Sequence, residues 1–191
     1  GLRTLVRRRP GIRVPGAFCG FEFALRALLR GSARSSVASD DLSRRVVWEL
    51  GAPIETDIPA LSRLSPSAGR VADAGAAKLV QLGVSPRRAA AVISLASGVA
   101  LGAISFEPGV DVGATRQTLM QLDGVGRRLA TTIVMRALYW PDAFPAADRA
   151  LQRAAGAANA RELLARSEQW RPWRAYAALH LWLHDEDRAG E

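Results

Sequence analysis

The stretch from Leu122 to Asp148 decides the fold: LDGVGRRLATTIVMRALYWPDAFPAAD contains a glycine turn, an apolar helix, a proline-rich loop and one aspartate. Gly124 and Gly126 let the backbone turn so that amides face outward at the start of a helix, which suits a phosphate-sized anion. We expect the amides there to face a nucleic-acid phosphate, with Arg127 and Arg128 beside it. The alternative is a plain helix connection, because glycine often simply ends a helix.

The composition favours a soluble domain with a polyanionic partner. The chain has 191 residues, 49% of them hydrophobic, and a net charge of +8. This length is enough for one substantial domain or two packed lobes, and the positive charge suits nucleic acid. Cys19 is the only cysteine and Lys78 the only lysine in the sequence. A single cysteine excludes an intramolecular disulfide, a four-cysteine zinc site and a four-cysteine iron–sulfur cluster, and it fits a cytosolic setting.

Helical periodicity dominates the chain, and no useful alternating β pattern is present, so we predict an all-α protein. One uncharged run of membrane length, Ala89 to Phe106, consists mostly of small residues and predicts a buried helix followed by a turn. The segment from Arg7 to Gly16 is basic and is predicted to be irregular. The predicted helices are 21–29, 40–50 (capped by Asp40), 58–64, 74–82, 86–101, 112–122, 127–138, 149–155, 160–167 and 172–184.

The glycine turn has a weak internal echo. LVQLGVSPRRAAAVISLA, starting at Leu79, is similar to LMQLDGVGRRLATTIVMRA, starting at Leu119. Two interpretations stay open: a second contact to a DNA backbone, or two ordinary helical hairpins with the same turn chemistry.

Asp148 is the candidate for chemistry. It precedes a helical run, so it can be an N-cap, and the helix dipole would then also keep the carboxylate ionised. An ionised carboxylate suits the cleavage of an N-glycosidic bond, because it stabilises the oxocarbenium character of the sugar and can activate water. If a glycosylase is present, we expect it to be monofunctional, because strand-cutting relatives need an amine nucleophile and Arg128 occupies the position expected for a lysine.

Aromatic residues are concentrated near the end of the chain. Their default role is core packing, and one or two of them are candidates to stack on an extruded base. His180 and His184 have metal-ligand spacing, but no third ligand is evident. The four aromatic residues are Trp170, Trp173, Tyr176 and Trp182.

These motifs resemble the helix–hairpin–helix DNA glycosylase superfamily, and within it the bacterial 3-methyladenine DNA glycosylase II family. RPGIRVPG (9–16), FEFALRALLRG (21–31) and LDGVGRRLA (122–130) are similar to the family's entry segment, first core helix and hairpin. WRPWRAYAALHLW (170–182) is close to its C-terminal helix, and Asp148 falls at its essential aspartate. The resemblance implies a flipped damaged base in double-stranded DNA, hydrolysis of its glycosidic bond and base-excision repair of alkylated purines.

The resemblance also implies an architecture and a site. The expected fold is two-lobed: lobe one spans residues 21–140 including the hairpin at 119–138, and lobe two spans 141–191 with 1–20. The active site would lie in the cleft between the lobes. No cofactor is required, and a Na⁺ or K⁺ ion would be held at the hairpin by main-chain carbonyls. The implied residues are Asp148 (catalytic), Gly124, Gly126, Arg127 and Arg128 (DNA phosphate), Trp182, Tyr176, Phe18 and Thr132 (base pocket), and Met120, Leu122 and Val125 (metal carbonyls).

The sequence departs from the family pattern at several positions. RGSAR (30–34) stands where a glutamine-containing wedge segment is usual, which leaves Ser32 as the wedge candidate. Arg128 and Thr132 replace pocket aromatics, Arg149 replaces a tyrosine, and Ala147 replaces an acid. The alternatives are therefore a non-catalytic helix–hairpin–helix DNA-binding module, a glycosylase for a different damaged base, or the repair half of a regulator fused to a transcription-factor module.

The family's N-terminal α+β domain has no counterpart here, and the chain begins at Gly1 without an initiator methionine. We therefore expect a fragment of a longer protein, preceded by or fused to another domain. We further expect a bacterial, cytoplasmic, nucleoid-associated monomer that does not contact membranes.

Overall fold

A computed structural model describes residues 2–30 and 36–190. Within these ranges the chain forms ten α-helices, one 3₁₀ turn at Glu168–Trp170 and no β-strand, which confirms the all-α prediction. The helices are α1 Leu2–Arg8, α2 Gly20–Arg30, α3 Ser36–Leu50, α4 Ala68–Gln81, α5 Pro86–Ala100, α6 Val112–Gln121, α7 Arg127–Ala137, α8 Arg149–Ala155, α9 Ala160–Ser167 and α10 Arg174–Gly190.

The chain divides into two compact units. One, called the central unit, is Cys19–Val125; the other, called the terminal unit, joins Gly1–Phe18 to Gly126–Glu191. The division predicted at about residue 140 falls instead within the glycine turn, between Val125 and Gly126. Helix α7 consequently groups with the C-terminal helices.

The central unit is built from α2 to α6. Helix α2 buries Phe21, Leu25, Leu28 and Leu29, the stripe that the helical spacing predicts, and it packs against α3 and α5. Helix α5 contains most of the uncharged run 89–106, and it buries Leu95 completely. The prediction of a buried helix followed by a turn is thus confirmed. None of the helices in the described part of the chain has the combination of length and apolarity that a membrane crossing requires.

The terminal unit is built from α1 and α7 to α10. Helix α10 packs against both α1 and α8, and the 3₁₀ turn joins α9 to α10. Its main apolar cluster closes around α8 because residues from the proline-rich loop, α8, α9 and α10 meet there. The buried members are Phe144, Ala146, Leu151, Leu163, Ala178 and Leu181.

Several local predictions differ from the structure. Helix α4 begins at Ala68 rather than at residue 74 and is kinked at Gly75, and α10 spans Arg174–Gly190 rather than 172–184. Helix α3 begins at Ser36, so Asp40 lies inside a helix that it was predicted to cap. The predicted helix over 58–64 is absent: the Thr56 hydroxyl donates to the Ile58 carbonyl, and Pro53 forms a bridge with Arg63, which ties this segment into a loop. Helix α1, which packs on α10, precedes the segment 7–16 that was predicted to be irregular, and that segment is non-helical from Arg9 onward.

A buried ion pair anchors the loop before α8 to the start of α10. The Arg174 guanidinium donates to both Asp142 oxygens, from Nε at 2.7 Å and from Nη2 at 2.8 Å, and also to Glu168 at 2.9 Å. The side chain of Arg174 is only 8% exposed. Such a pair holds its elements in one arrangement, since a charge buried without its partner is strongly destabilising.

We expect Arg174→Met to lower the free energy of unfolding by about 3 kcal/mol, because it leaves the buried Asp142 carboxylate with a poorer set of donors. Urea unfolding measures the effect. Arg171→Gln is the matched control: Arg171 also contacts Asp142, but its side chain is 52% exposed, so the expected loss is below about 1 kcal/mol. Equal losses in the two variants would contradict the structural role assigned to Arg174.

Candidate active site

The glycine turn between α6 and α7 has the backbone geometry of an anion-binding hairpin. Gly124 has a φ of +84°, a left-handed conformation that other residues adopt only with strain. The Val125 amide donates to the Leu122 carbonyl at 3.0 Å, and Val125 is buried. Gly126 is the N-cap of α7 and has no side chain to cap it, so the first amides of α7 remain available to an anion. Arg127 at this turn is exposed.

The predicted echo of this turn forms a second hairpin of similar geometry between α4 and α5. Gly83 has a φ of +100°, Val84 is buried as Val125 is, and Ser85 is an N-cap whose side chain makes no capping hydrogen bond. Pro86 follows at the first position of α5, where it has no amide hydrogen to offer an anion. The second turn therefore has the shape of the first but fewer backbone donors.

Asp148 is the N-cap of α8. Its Oδ1 accepts hydrogen bonds from the amides of Ala150, at 3.0 Å, and Leu151, at 3.3 Å. The capping role inferred from the sequence is therefore present. The side chain is 17% exposed, so the carboxylate is held at the surface and is partly accessible to a substrate.

A third donor reaches the same oxygen from α10. The indole Nε1 of Trp182 donates to Asp148 Oδ1 at 3.2 Å. The Trp182 ring is half-buried and packs against Met135, Ala143 and Ala175 as well as against the main apolar cluster around α8. This residue, predicted to face the base pocket, thus also fixes the rotamer of the candidate catalytic carboxylate.

The two oxygens of Asp148 have different surroundings. Oδ1 accepts three hydrogen bonds, whereas Oδ2 is contacted by Arg128 Nη1 at the long distance of 3.4 Å. Arg128 is 56% exposed, so this ion pair is weak and easily exchanged. Oδ2 is consequently the oxygen that a sugar or a water molecule can reach while Oδ1 holds the carboxylate in place.

Two arginines of α8 lie close to Asp148 in sequence, and one of them is paired with an acid. Arg153, one turn along α8, donates to both oxygens of Asp185. The hydrogen bond to Asp185 and the charge of that residue raise the pKa of Arg153, and the Asp148 charge contributes further. Arg149 follows Asp148 directly and is exposed. An anionic backbone would therefore be attracted to this face of α8.

The loop that leads to Asp148 is held from several sides. The Ala175 amide donates to the Pro141 carbonyl at 2.8 Å, and the Asp148 amide donates to the Pro145 carbonyl at 2.8 Å. Phe144 is buried and contacts Trp170 edge-on, with ring centroids 5.8 Å apart. Together with the Asp142–Arg174 pair, these contacts fix the position at which α8 begins.

The remaining predicted site residues lie in several places. Thr132 is one turn from Arg128 on α7, and its hydroxyl donates to the Arg128 carbonyl at 2.9 Å. Tyr176 packs edge-on against Trp173, and Phe18 is fully exposed. No hydrogen bond or ring contact within the described ranges joins Tyr176 or Phe18 to Asp148. The wedge candidate Ser32 lies outside the described residues.

The hairpin carbonyls proposed for a metal ion have suitable chemistry. Met120, Leu122 and Val125 provide neutral oxygens next to a backbone reversal, which suits a hard monovalent cation. The Leu122 carbonyl accepts one hydrogen bond, from Val125, and keeps a second lone pair. Among the described side chains, no group of three histidine, cysteine or acidic residues could hold a metal.

His180, one of the two histidines with metal-ligand spacing, is buried on α10. Burial and the charge of Arg9 lower the pKa of His180.

The main feature that sequence reasoning missed is the Arg128–Asp148 contact. Arg128 was assigned to a DNA phosphate because it follows the glycine turn. The contact joins residues 20 apart in the chain, across the whole of α7 and the proline-rich loop, so no local spacing could indicate it.

Comparison with known proteins places this geometry in a class. No protein-family model matches the chain. A solved structure of a DNA-3-methyladenine glycosidase from Bacillus halodurans superposes with a TM-score of 0.80 over all of this chain and 86% of that one, at 21% identity. The fold is therefore that of the helix–hairpin–helix DNA glycosylases, as the resemblance predicted.

Two curated relatives are similar in sequence. The chain is 36% identical to the probable bifunctional transcriptional activator/DNA repair enzyme AlkA of Mycobacterium tuberculosis, over 95% of this chain and 36% of that protein. It is 32% identical to DNA-3-methyladenine glycosylase 2 of Escherichia coli, over 95% of this chain and 63% of that protein. The chain thus spans about a third of the length of the Mycobacterium tuberculosis protein and just under two thirds of the length of the Escherichia coli protein. The chain is homologous to both, which confirms the predicted resemblance.

The Trp182–Asp148 hydrogen bond can be measured as a coupling energy. In a double-mutant cycle of Trp182→Phe and Asp148→Ala, we expect about 1 kcal/mol of coupling in urea unfolding, because the hydrogen bond connects an indole to a charged group. Trp170→Phe is the control, since that half-buried ring packs on Phe144 rather than donating to Asp148. A coupling near zero for Trp182, or the same coupling for Trp170, would rule out this hydrogen bond as a specific link.

Proposed function

We propose that this chain is a monofunctional DNA glycosylase that hydrolyses the N-glycosidic bond of alkylated purines, of the 3-methyladenine type, flipped from duplex DNA. The observation that carries the proposal is the Asp148 carboxylate, with one oxygen fixed by three donors and the other contacted by the exposed Arg128 at 3.4 Å. The homology of the chain to proteins named as a DNA repair enzyme and as DNA-3-methyladenine glycosylase 2 supports a role in base-excision repair.

The chain's residues account for the chemistry as follows. The bond between C1′ and the base nitrogen breaks, and its electron pair leaves with the base. Asp148 Oδ2 stabilises the positive charge that develops on the sugar, and it orients a water molecule that attacks C1′ and gives up a proton. Trp182 holds the carboxylate in this orientation and would flank the base. The products are a free base and an abasic site.

The absence of strand cleavage follows from the available nucleophiles. A lyase step needs an amine that forms a Schiff base with C1′. The only lysine in the sequence, Lys78, donates to Glu49 at 2.8 Å within the central unit. Arg128, which contacts Asp148, carries a guanidinium group, which cannot act as that amine.

DNA would be held through its backbone. The amides of Gly124, Gly126 and Arg127 would contact a phosphate, with the Arg127 guanidinium beside it. The carbonyls of Met120, Leu122 and Val125 would hold a Na⁺ or K⁺ ion, which supplies positive charge next to that phosphate. The net charge of +8 would favour association with the nucleoid DNA of a bacterial cytoplasm.

The alternative is a non-catalytic helix–hairpin–helix DNA-binding module, and one observation favours it. Arg128 contacts the oxygen that the sugar would need, at 3.4 Å. A module of this kind would bind DNA through the hairpin and release no base. A glycosylase for another damaged base would release a base other than 3-methyladenine, so both alternatives are outcomes of the next experiment.

We expect Asp148→Asn to reduce the release of 3-methyladenine from methylated duplex DNA at least about a hundredfold, because a neutral amide does not stabilise the sugar cation. DNA affinity should stay the same or increase, since a negative charge is removed. Released bases are measured by chromatography under single-turnover conditions, and affinity by fluorescence anisotropy.

Asp111→Asn is the matched control for this experiment. Asp111 is also a helix N-cap, with its carboxylate accepting from the Ala114 amide at 2.9 Å, and asparagine caps a helix equally well. Near-normal turnover in Asp148→Asn would reduce Asp148 to a cap. No base release from any damaged duplex, with salt-sensitive binding retained, would establish the DNA-binding module.

The contact expected between the hairpin and a phosphate can be tested separately through the affinity for DNA. We expect Arg127→Gln to weaken binding to damaged and undamaged duplexes equally, and to reduce the slope of log K against log[salt] by about 1, because one phosphate contact is lost. Arg161→Gln removes the same charge from an exposed position of α9 and should leave the slope unchanged. An unchanged slope in Arg127→Gln would remove Arg127 from the phosphate site.

A further inference from the structure

Arg128 places a permanent positive charge at the centre of the candidate site. Its Nη1 lies 3.4 Å from Asp148 Oδ2, the oxygen expected to face the sugar. The contact is long and the side chain is half-exposed, so the guanidinium can leave Oδ2 without disturbing Asp148. The carboxylate would remain fixed by its three donors on Oδ1.

The positive charge of Arg128 is expected to act differently on cationic and on neutral alkylated purines. A purine alkylated at N3 or N7 is a cation while attached to the sugar, and it leaves as a neutral molecule. A neutral purine, such as an etheno adduct, leaves as an anion because the electron pair of the broken bond goes with it. A nearby guanidinium repels the first kind in the ground state and stabilises the second kind as its charge develops.

We propose that Arg128 is a further catalytic residue that stabilises the departing base as an anion, so that the enzyme releases neutral alkylated purines in addition to cationic ones. This inference rests on the proposed glycosylase function and names the substrate class of that same site. It also gives the Arg128–Asp148 contact a role in the enzyme. The positive Arg128 acts on the departing base, and the negative Asp148 acts on the sugar.

The proposed step balances without any added reactant. The bond between C1′ and N9 breaks, and its electron pair stays on N9 of the leaving purine. Arg128 donates a hydrogen bond to that anion and keeps its own proton. Solvent water supplies the proton that neutralises the released base. Asp148 stabilises the cation at C1′ until a water oxygen bonds to it, and the water proton passes through the carboxylate to solvent.

The geometry of α7 supports this assignment. Arg128 stands in the first turn of α7, next to the N-cap Gly126, and the Thr132 hydroxyl on the following turn donates to the Arg128 backbone carbonyl. The guanidinium therefore projects from a backbone that is fixed at both turns, while its long side chain retains the freedom to move between the carboxylate and a base.

The test is a ratio of rates on two substrates. Single-turnover base release is measured at saturating protein on duplexes with 1,N6-ethenoadenine, a neutral base, and with 7-methylguanine, a cationic base. We expect Arg128→Gln to reduce the ratio of the neutral to the cationic rate by about tenfold to a hundredfold, as the loss of a preorganised donor predicts.

Arg161→Gln is the control, because it removes one exposed arginine from the same unit and should leave the ratio unchanged. Using a ratio removes any common effect of Arg128 on DNA affinity, and circular dichroism verifies that each variant is folded. An unchanged ratio in Arg128→Gln, with both bases released, overturns this inference and leaves the proposed function intact. No release of either base by a wild-type protein that does release 3-methyladenine from methylated duplex DNA also overturns this inference, whereas no release of any of the three bases overturns the proposed function itself.

Discussion

The arrangement of the terminal unit depends on the hydrogen bonds to the Asp148 carboxylate, because one of its oxygens connects α8 to α10. Oδ1 accepts the first free amides of α8 and the indole hydrogen of Trp182 on α10. A hydrogen-bonded charge of this kind specifies one arrangement of its neighbours, since an unpaired polar group in a partly buried position is costly. The second oxygen takes no part in these bonds and is contacted only weakly, by Arg128, so structural and chemical roles are divided between the two oxygens of one side chain.

The rest of the terminal unit holds this carboxylate in place. The buried Asp142–Arg174 pair fixes the loop before α8 against the start of α10, and Trp182 is packed by apolar residues from α7, the loop and α10. A candidate catalytic group needs this rigidity, because catalysis by electrostatic stabilisation requires dipoles and charges that are already in position. The loop from residue 141 to 147 is therefore as much a part of the site as Asp148 itself.

Arg128 separates this chain from a simple carboxylate site. Where the family resemblance implies an aromatic pocket wall, the structure has a guanidinium against the carboxylate. A positive charge changes which base can be stabilised as it leaves, while the fold and the position of Asp148 stay the same. Divergence within a common fold is therefore expected to act through substrate choice, because function is set by the residues of a site rather than by the fold alone.

The sequence by itself determined the all-α class, the two hairpin turns, the bounds of α8 and α9, and the cap at Asp148. These features depend on local signals: glycines with positive φ, side-chain caps and apolar spacing. Only the tertiary structure decided the start of α3, the division of the chain at Val125 and the partners of Asp148. Trp182 and Arg128 lie 34 and 20 residues from Asp148, and such distant pairs are set by helix packing, which no local pattern contains.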